Sequence, residues 1–397
     1  MIFLKEKRQG EAARRMWPKD AGITLTELLA ATAIAGILLA SIYYVYATSS
    51  RSYRMEQQVV RASETLRLGM DELKRAISLA GFLATPDSDT DPSVCPKPSN
   101  RIVGIYLLHE GDTYAPEKNV HIQPYSITLF GAYASQETYY TASVIGNIVT
   151  LQNPPADEAE FNAIFKPHRM LRIVNKEQFE TYHKIQSANY ADKSVILADA
   201  PPVATGTDYC GIQGFGEGLE VNVVGYVRYR LAKDERDGAP VDSKGTYNKI
   251  DLVREELDPE GKYVDGTRVI VAEWVVDLSF YDFVMDEDIS RRDPDFTIYH
   301  LPEDVVDNAG GGILSRASGS KPYNLRFLTV ALTVRTPDGD PSWVFYKRNG
   351  PHAPILSYDV DYDPDANPDT ASRGSARTLS IAQRVGLPAF LVKNIKP

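Results

Sequence analysis

Apolar positions are arranged in three successive ways along this chain. From Ile23 to Tyr46 they are almost continuous, in the stretch "GITLTELLAATAIAGILLASIYYVYA" that opens at Gly22, and Glu27 is the one residue in it charged at neutral pH. A helix over this stretch is roughly 35 Å long, enough to cross a hydrocarbon layer of about 30 Å. Beyond it, apolar or small residues recur at Val59, Ser63, Leu66, Met70, Leu73, Ile77 and Ala80. Alternating steps of three and four predict that the helix continues with one buried stripe, and that Glu64, Arg67, Glu72, Lys74 and Arg75 fall off it. Gly81 supplies a C-terminal stop. Thr85 to Asn100, "TPDSDTDPSVCPKPSN", reads as a loop. From Ile102 the pattern changes to short β-rich runs: "RIVGIYLL", "YSITLFGAY", "SVIGNIVTL", the alternating "EVNVVGYVRYRLA" (Glu220 to Ala232), "KIDLVREEL", "VIVAEWVVDLSFYDF" and "NLRFLTVALTVRT". The chain therefore divides into 1–22, a transmembrane segment 23–46, an amphipathic continuation 47–81 and a largely β region 82–397 with long insertions and no internal repeat.

Charge orients the span. Met1 to Gly22 hold Lys5, Lys7, Arg8, Arg14, Arg15 and Lys19 against Glu6, Glu11 and Asp20. That basic excess predicts an N-terminus kept in the cytoplasm and a large domain delivered to the other side. The apolar run is too long for an ordinary signal peptide and no small-x-small site follows it. The net charge is −10 overall. Without Met1 to Gly22, which carry +3, it is −13, which argues against a basic face for nucleic acid. The two cysteines, Cys95 and Cys210, form no CxxC pair. Outside the cytoplasm a structural disulfide is the expectation, with two buried thiols as the alternative. Glu27 is costly inside a bilayer if unpaired, which points to function. The plainer alternative is a side chain near the helix end that reaches the headgroups.

The run "GITLTELL" resembles the start of type IV pilins and of the pseudopilins of type II secretion. These proteins begin with a short basic leader that ends in Gly, followed by an apolar helix with Glu fifth. Here the leader ends at Gly22, the mature chain would begin at Ile23, and Glu27 falls fifth. The family's first residue is usually Phe, so Ile23 departs from it. The resemblance implies cleavage between Gly22 and Ile23 by prepilin peptidase and N-methylation of Ile23. It also implies a role for Glu27 in pairing with a neighbouring subunit's terminal ammonium during assembly, since two opposite charges are buried together more readily than one. It implies a pilin-like α+β fold, a long N-terminal helix packed on a β-rich head. The order of the strands at Val227 to Leu231, Leu252 to Glu255, Val271 to Tyr281 and Leu328 to Thr336 is similar to the minor pilin family PilW and the pseudopilin GspJ. The segment from Gly81 to about Gly218 is larger than in typical members.

Motifs of other chemistries are missing from the sequence. There is no HExxH, GxSxG or Walker loop, and His109, His121, His168, His183, His300 and His352 are dispersed. "GIQGFGEG" (Gly211 to Gly218) reads as a turn beside Cys210. Asp359, Asp361 and Asp363 have the first three spacings of a calcium loop, but Pro364 and Thr370 stand where Gly and Glu are needed, so a solvated acidic loop is favoured. The resemblance thus implies a minor pilin of the tip complex, not an enzyme and without a cofactor. Its partners would be other minor pilins, the major pilin, a large tip adhesin, prepilin peptidase and the inner membrane, but not nucleic acid. It would be a single-pass inner-membrane protein that reaches the pilus tip. The alternatives are a secretion pseudopilin and a tip-borne adhesive or ligand-binding module.

Overall fold

The computed structural model describes residues 23–109, 125–205, 209–233, 249–287, 295–306, 312–340, 343, 346, 355–360 and 375–393. Helix α1 (Leu25–Ser78) comes first. Then come β1 (Ile105–His109), β2 (Tyr125–Gly131), β3 (Tyr139–Ile145) and β4 (Ile148–Leu151). The short helix α2 (Glu158–Ile164) precedes β5 (Met170–Val174), β6 (Glu180–Asn189), β7 (Ser194–Leu197), β8 (Glu220–Lys233) and β9 (Ile250–Leu257). The remainder is β10 (Val269–Ala272), β11 (Val275–Asp286), β12 (Phe296–Tyr299), β13 (Leu325–Arg335), β14 (Ser357–Asp359), β15 (Ser375–Gly386) and α3 (Pro388–Lys393). Packing separates two units, Met1–Gln57 and Gln58–Pro397.

Strand β8 organises the larger unit. Its second half is the middle of a sheet that runs β10-β9-β8-β2-β1, with Tyr226 to Lys233 paired to β9 and Gly225 to Tyr229 paired to β2. Its first half closes a ring. Tyr139 and Tyr140 of β3 pair with Val221 and Glu220, while Met170 to Val174 of β5 pair with Val224 to Glu220. The ring is completed through β3-β4, β4-β7, β7-β6 and β6-β5. The result is a small antiparallel barrel of β3, β4, β7, β6, β5 and the start of β8, in which each strand is paired on both sides over part of its length. Its interior holds Tyr139, Leu151, Leu171, Ile173, Ile185, Val195, Val221 and Val223. Helix α2 adds Phe161 and Ile164 to that core, and its first turn is capped by the Asp157 carboxylate, which accepts from the Glu160 N–H. A second sheet, β12-β11-β13-β15-β14, is also antiparallel.

Within the larger unit the later turns of α1 bury Ala62, Leu66, Gly69, Met70, Leu73, Ala76 and Ile77. These side chains share one core with residues of both sheets, including Leu129, Tyr229, Leu252, Phe280, Val330 and Leu332. The expected stripe is present and is widened by the small residues Ala62, Gly69 and Ala76. Glu72 corrects the sequence reading. It is half-buried and accepts a hydrogen bond from the Tyr229 hydroxyl at 3.0 Å, so it belongs to the packed face. The helix ends at Ser78, and Gly81 follows with φ of 73°, as its stop position requires. Gly69 marks the closest approach. A Cβ there would lie 2.9 Å from Ala272 Cβ and 3.1 Å from Leu332 Cδ2. Gly69→Leu is therefore expected to destabilise the protein by about 1–3 kcal/mol, despite leucine's better helix propensity. Urea unfolding of the detergent-solubilised chain, followed by tryptophan fluorescence, measures it. A stability at or above the parent's would show that this contact has room to spare.

Candidate functional site

The N-terminal turn of α1 concentrates the residues singled out in the sequence. Gly22 lies outside the described residues. Ile23 is exposed, and the helix begins two residues later. Glu27 reaches back along this turn. Its Oε2 accepts from the Thr24 N–H at 3.0 Å and from the Thr24 hydroxyl at 2.9 Å, while the Glu27 N–H donates to Thr24 Oγ1 at 3.3 Å. This is a reciprocal capping box, which satisfies amide donors that an opening helix turn leaves unpaired. Within one chain, then, the Glu27 carboxylate already has partners. The signal is present in the sequence, because "TLTE" places Thr24 and Glu27 at the spacing of three that a capping box requires.

From Leu25 through Val45 every side chain of α1 is exposed, including Leu28, Leu29, Ile34, Ile37, Leu38, Leu39 and Ile42. Among the described residues this is the one helix long and apolar enough to cross a membrane. Tyr43, Tyr44 and Tyr46 gather at the end of the apolar run and are exposed as well. Amphipathic rings in that position suit a membrane–water interface.

The other candidates lie in the larger unit. Cys95 and Cys210 are joined, with Cα atoms 5.1 Å apart. The bond ties the loop after α1 to the glycine-rich turns before β8, where Gly214, Gly216 and Gly218 all have positive φ. The loop is better ordered than its composition suggests. Asp87 is buried and takes two bonds from Arg101, at 2.9 and 2.7 Å, and the Thr85 hydroxyl donates to Asp91. Asp359 is buried in β14, opposite Ser375 of β15. Asp361 and Asp363 fall outside the described residues, and among those described no cluster of His, Cys, Asp and Glu could hold a metal ion. His121 and His352 also lie outside them. The His168 Nε2–H donates to the Glu256 carboxylate at 2.6 Å, and the exposed His300 pairs with Asp282 at 2.8 Å.

Two buried carboxylates were missed by the sequence reading. Glu255 on β9 meets Arg228 at 2.8 Å, Arg230 at 2.9 Å and Arg268 at 2.8 Å. Burial alone would push its carboxyl up, but Arg230 and Arg228 outweigh burial and hold it at about 2. Glu256 is likewise held well below the usual range, with burial opposed by His168 and Arg169. These groups are bonded on all sides and tie strand to strand, so they describe structural pairing and not an acid–base site.

Together these features define an α+β protein with a long N-terminal helix, apolar over its first part, and a β-rich head stapled by one disulfide. No protein-family model, curated protein or solved structure matches the chain.

Proposed function

We propose that this chain is a minor type IV pilin of the PilW kind, a structural and assembly protein anchored in the inner membrane with its head outside the cytoplasm. The observation that carries the reading is the N-terminal arrangement: a basic leader ending at Gly22, Glu27 fifth beyond it, and a helix whose first part exposes apolar side chains throughout. The length of the head supports a place at the filament tip beside other minor pilins, because a bulky head is awkward in a repeated subunit. In a filament core the Glu27 carboxylate of one subunit would pair with the freed Ile23 ammonium of the next.

The capping box offers a purely local role for Glu27, and one substitution separates the two. Glu27→Gln keeps an acceptor for the Thr24 N–H and so preserves the cap, but removes the charge. We expect Glu27→Gln to be inserted and cleaved, yet to co-purify with the other minor pilins at least tenfold less than the parent. Thr24→Val breaks the cap while leaving the charge, and is expected to assemble. Normal assembly of Glu27→Gln would reduce Glu27 to a cap. Mass spectrometry of the membrane-derived protein tests processing separately, with a chain that starts at methylated Ile23 as the expected product.

A further inference from the structure

The wall of the barrel has a gap in it. In β6 the backbone groups of the odd-numbered residues face β5, as the Ile185 N–H bond to Arg169 O and the Asn175 N–H bond to Phe179 O fix the ladder's phase. The even-numbered residues therefore direct their N–H and C=O to the other edge. Glu180 is satisfied there, bonded to Ser93 O and to the Cys95 N–H. The Lys184 carbonyl is satisfied by the Ala198 N–H at 2.8 Å. Between them Tyr182 has neither its N–H nor its C=O bonded on that edge by any described residue. A cleft of about 520 Å³ opens at this point.

Its two sides differ in chemistry. One is apolar, lined by Ile102, Met170, Tyr182 and Tyr226. The other carries Thr181 and His183, whose Oγ1 and Nε2 are buried without a hydrogen-bond partner among the described residues. Burial holds His183 down at about 4, against the pull of Asp199, so the ring is neutral at pH 7. The rim charges balance, Lys97 and Lys184 against Asp199 and Glu260. Pro96 of the rim follows Cys95, which is joined to Cys210.

We propose that this cleft binds the end of an extended peptide with uncharged side chains from a partner chain, one residue of which completes the missing rung at Tyr182. A strand rung needs an N–H and a C=O on either side of one Cα. An amino-acid residue within a chain offers that pair on one edge, whereas a sugar's acetamido group carries its N–H and C=O on opposite edges of a single amide. The room along the strand is short: from Glu180 to Lys184 is about 13 Å at 3.3 Å per residue, with both backbone groups of Glu180 bonded at one end and the Lys184 carbonyl bonded at the other. Only a chain end fits. Side chains on opposed residues share a face, so the central residue would be apolar, against Met170 and Tyr226, and its neighbours polar, towards Thr181 and His183.

The test uses the full-length chain in detergent and a fluorescein-labelled Ser-Val-Ser amide. Polarisation is expected to saturate, and hydrogen exchange at the Tyr182 amide to slow at least tenfold at saturation. Methylating the central valine nitrogen, or exchanging the order to Val-Ser-Val, is expected to weaken binding at least tenfold. Thr181→Val, which keeps the side chain's shape, is expected to weaken it severalfold without unfolding the barrel. The proposal is overturned if the Tyr182 amide exchanges at an unchanged rate in millimolar peptide, if the methylated peptide binds equally well, or if N-acetylglucosamine displaces the probe at equal concentration. None of these outcomes depends on whether the chain assembles into a pilus.

Discussion

Cys95→Ser combined with Cys210→Ser is expected to lower the stability of the head by up to about 4–5 kcal/mol, the value that chain entropy assigns to releasing a loop of this length. The cysteines are separated by 115 residues, and the loop they close contains β1 to β7, most of the barrel. In the unfolded chain the crosslink removes many arrangements of that segment. In the folded chain it fastens the Ser93–Cys95 segment beside β6. Denaturant midpoints of the oxidised protein and the double-serine variant decide the size of the effect. A midpoint shift worth less than 1 kcal/mol would mean that the barrel holds this loop without help.

Glu255→Ala carries the second large expected effect, about 3–5 kcal/mol at pH 7, because it removes the carboxylate on which three guanidinium groups converge in a buried site. The effect has a definite pH dependence. The folded value of about 2 lies below the ordinary 4.5, so the stabilisation is fully present above pH 4.5 and is lost as pH falls towards 2. The shift corresponds to roughly 3 kcal/mol at about 1.4 kcal/mol per pH unit. The gap in unfolding free energy between parent and Glu255→Gln should therefore narrow steadily between pH 4.5 and 2. A gap that stays constant across this window would assign the loss to packing and not to charge.

The N-terminal helix was legible because its signals are local: an unbroken apolar run, then a three-and-four spacing that ends at a glycine. Strands β2, β8, β9 and β13 were legible for the same reason, as their alternation is long enough to read. "VIVAEWVVDLSFYDF" looked like one strand, but it divides into β10 and β11 around Glu273 and Trp274, the latter with φ of 58°. The barrel was not visible. β5 and β7 are short, and nothing in their residues says that both ends of the ring meet on one half of β8. Ring closure is a non-local fact, as are the partners of Glu255 and the empty position at Tyr182. The cysteine pairing could be expected from location but not from spacing, because proximity is set by the barrel. Glu72 was misjudged because a charge on a helix reads as solvated unless a buried hydroxyl such as that of Tyr229 is known to wait for it.

The double membership of β8 bears on how the chain is made. During synthesis β3 to β7 emerge before the strand that must seal them. Until Glu220 to Val224 arrive, β3 and β5 each present a bare edge of backbone donors and acceptors. The nascent head is thus open to mispairing with other copies over a defined interval of elongation, one that closes when a single strand docks and at the same stroke starts the sheet beyond it.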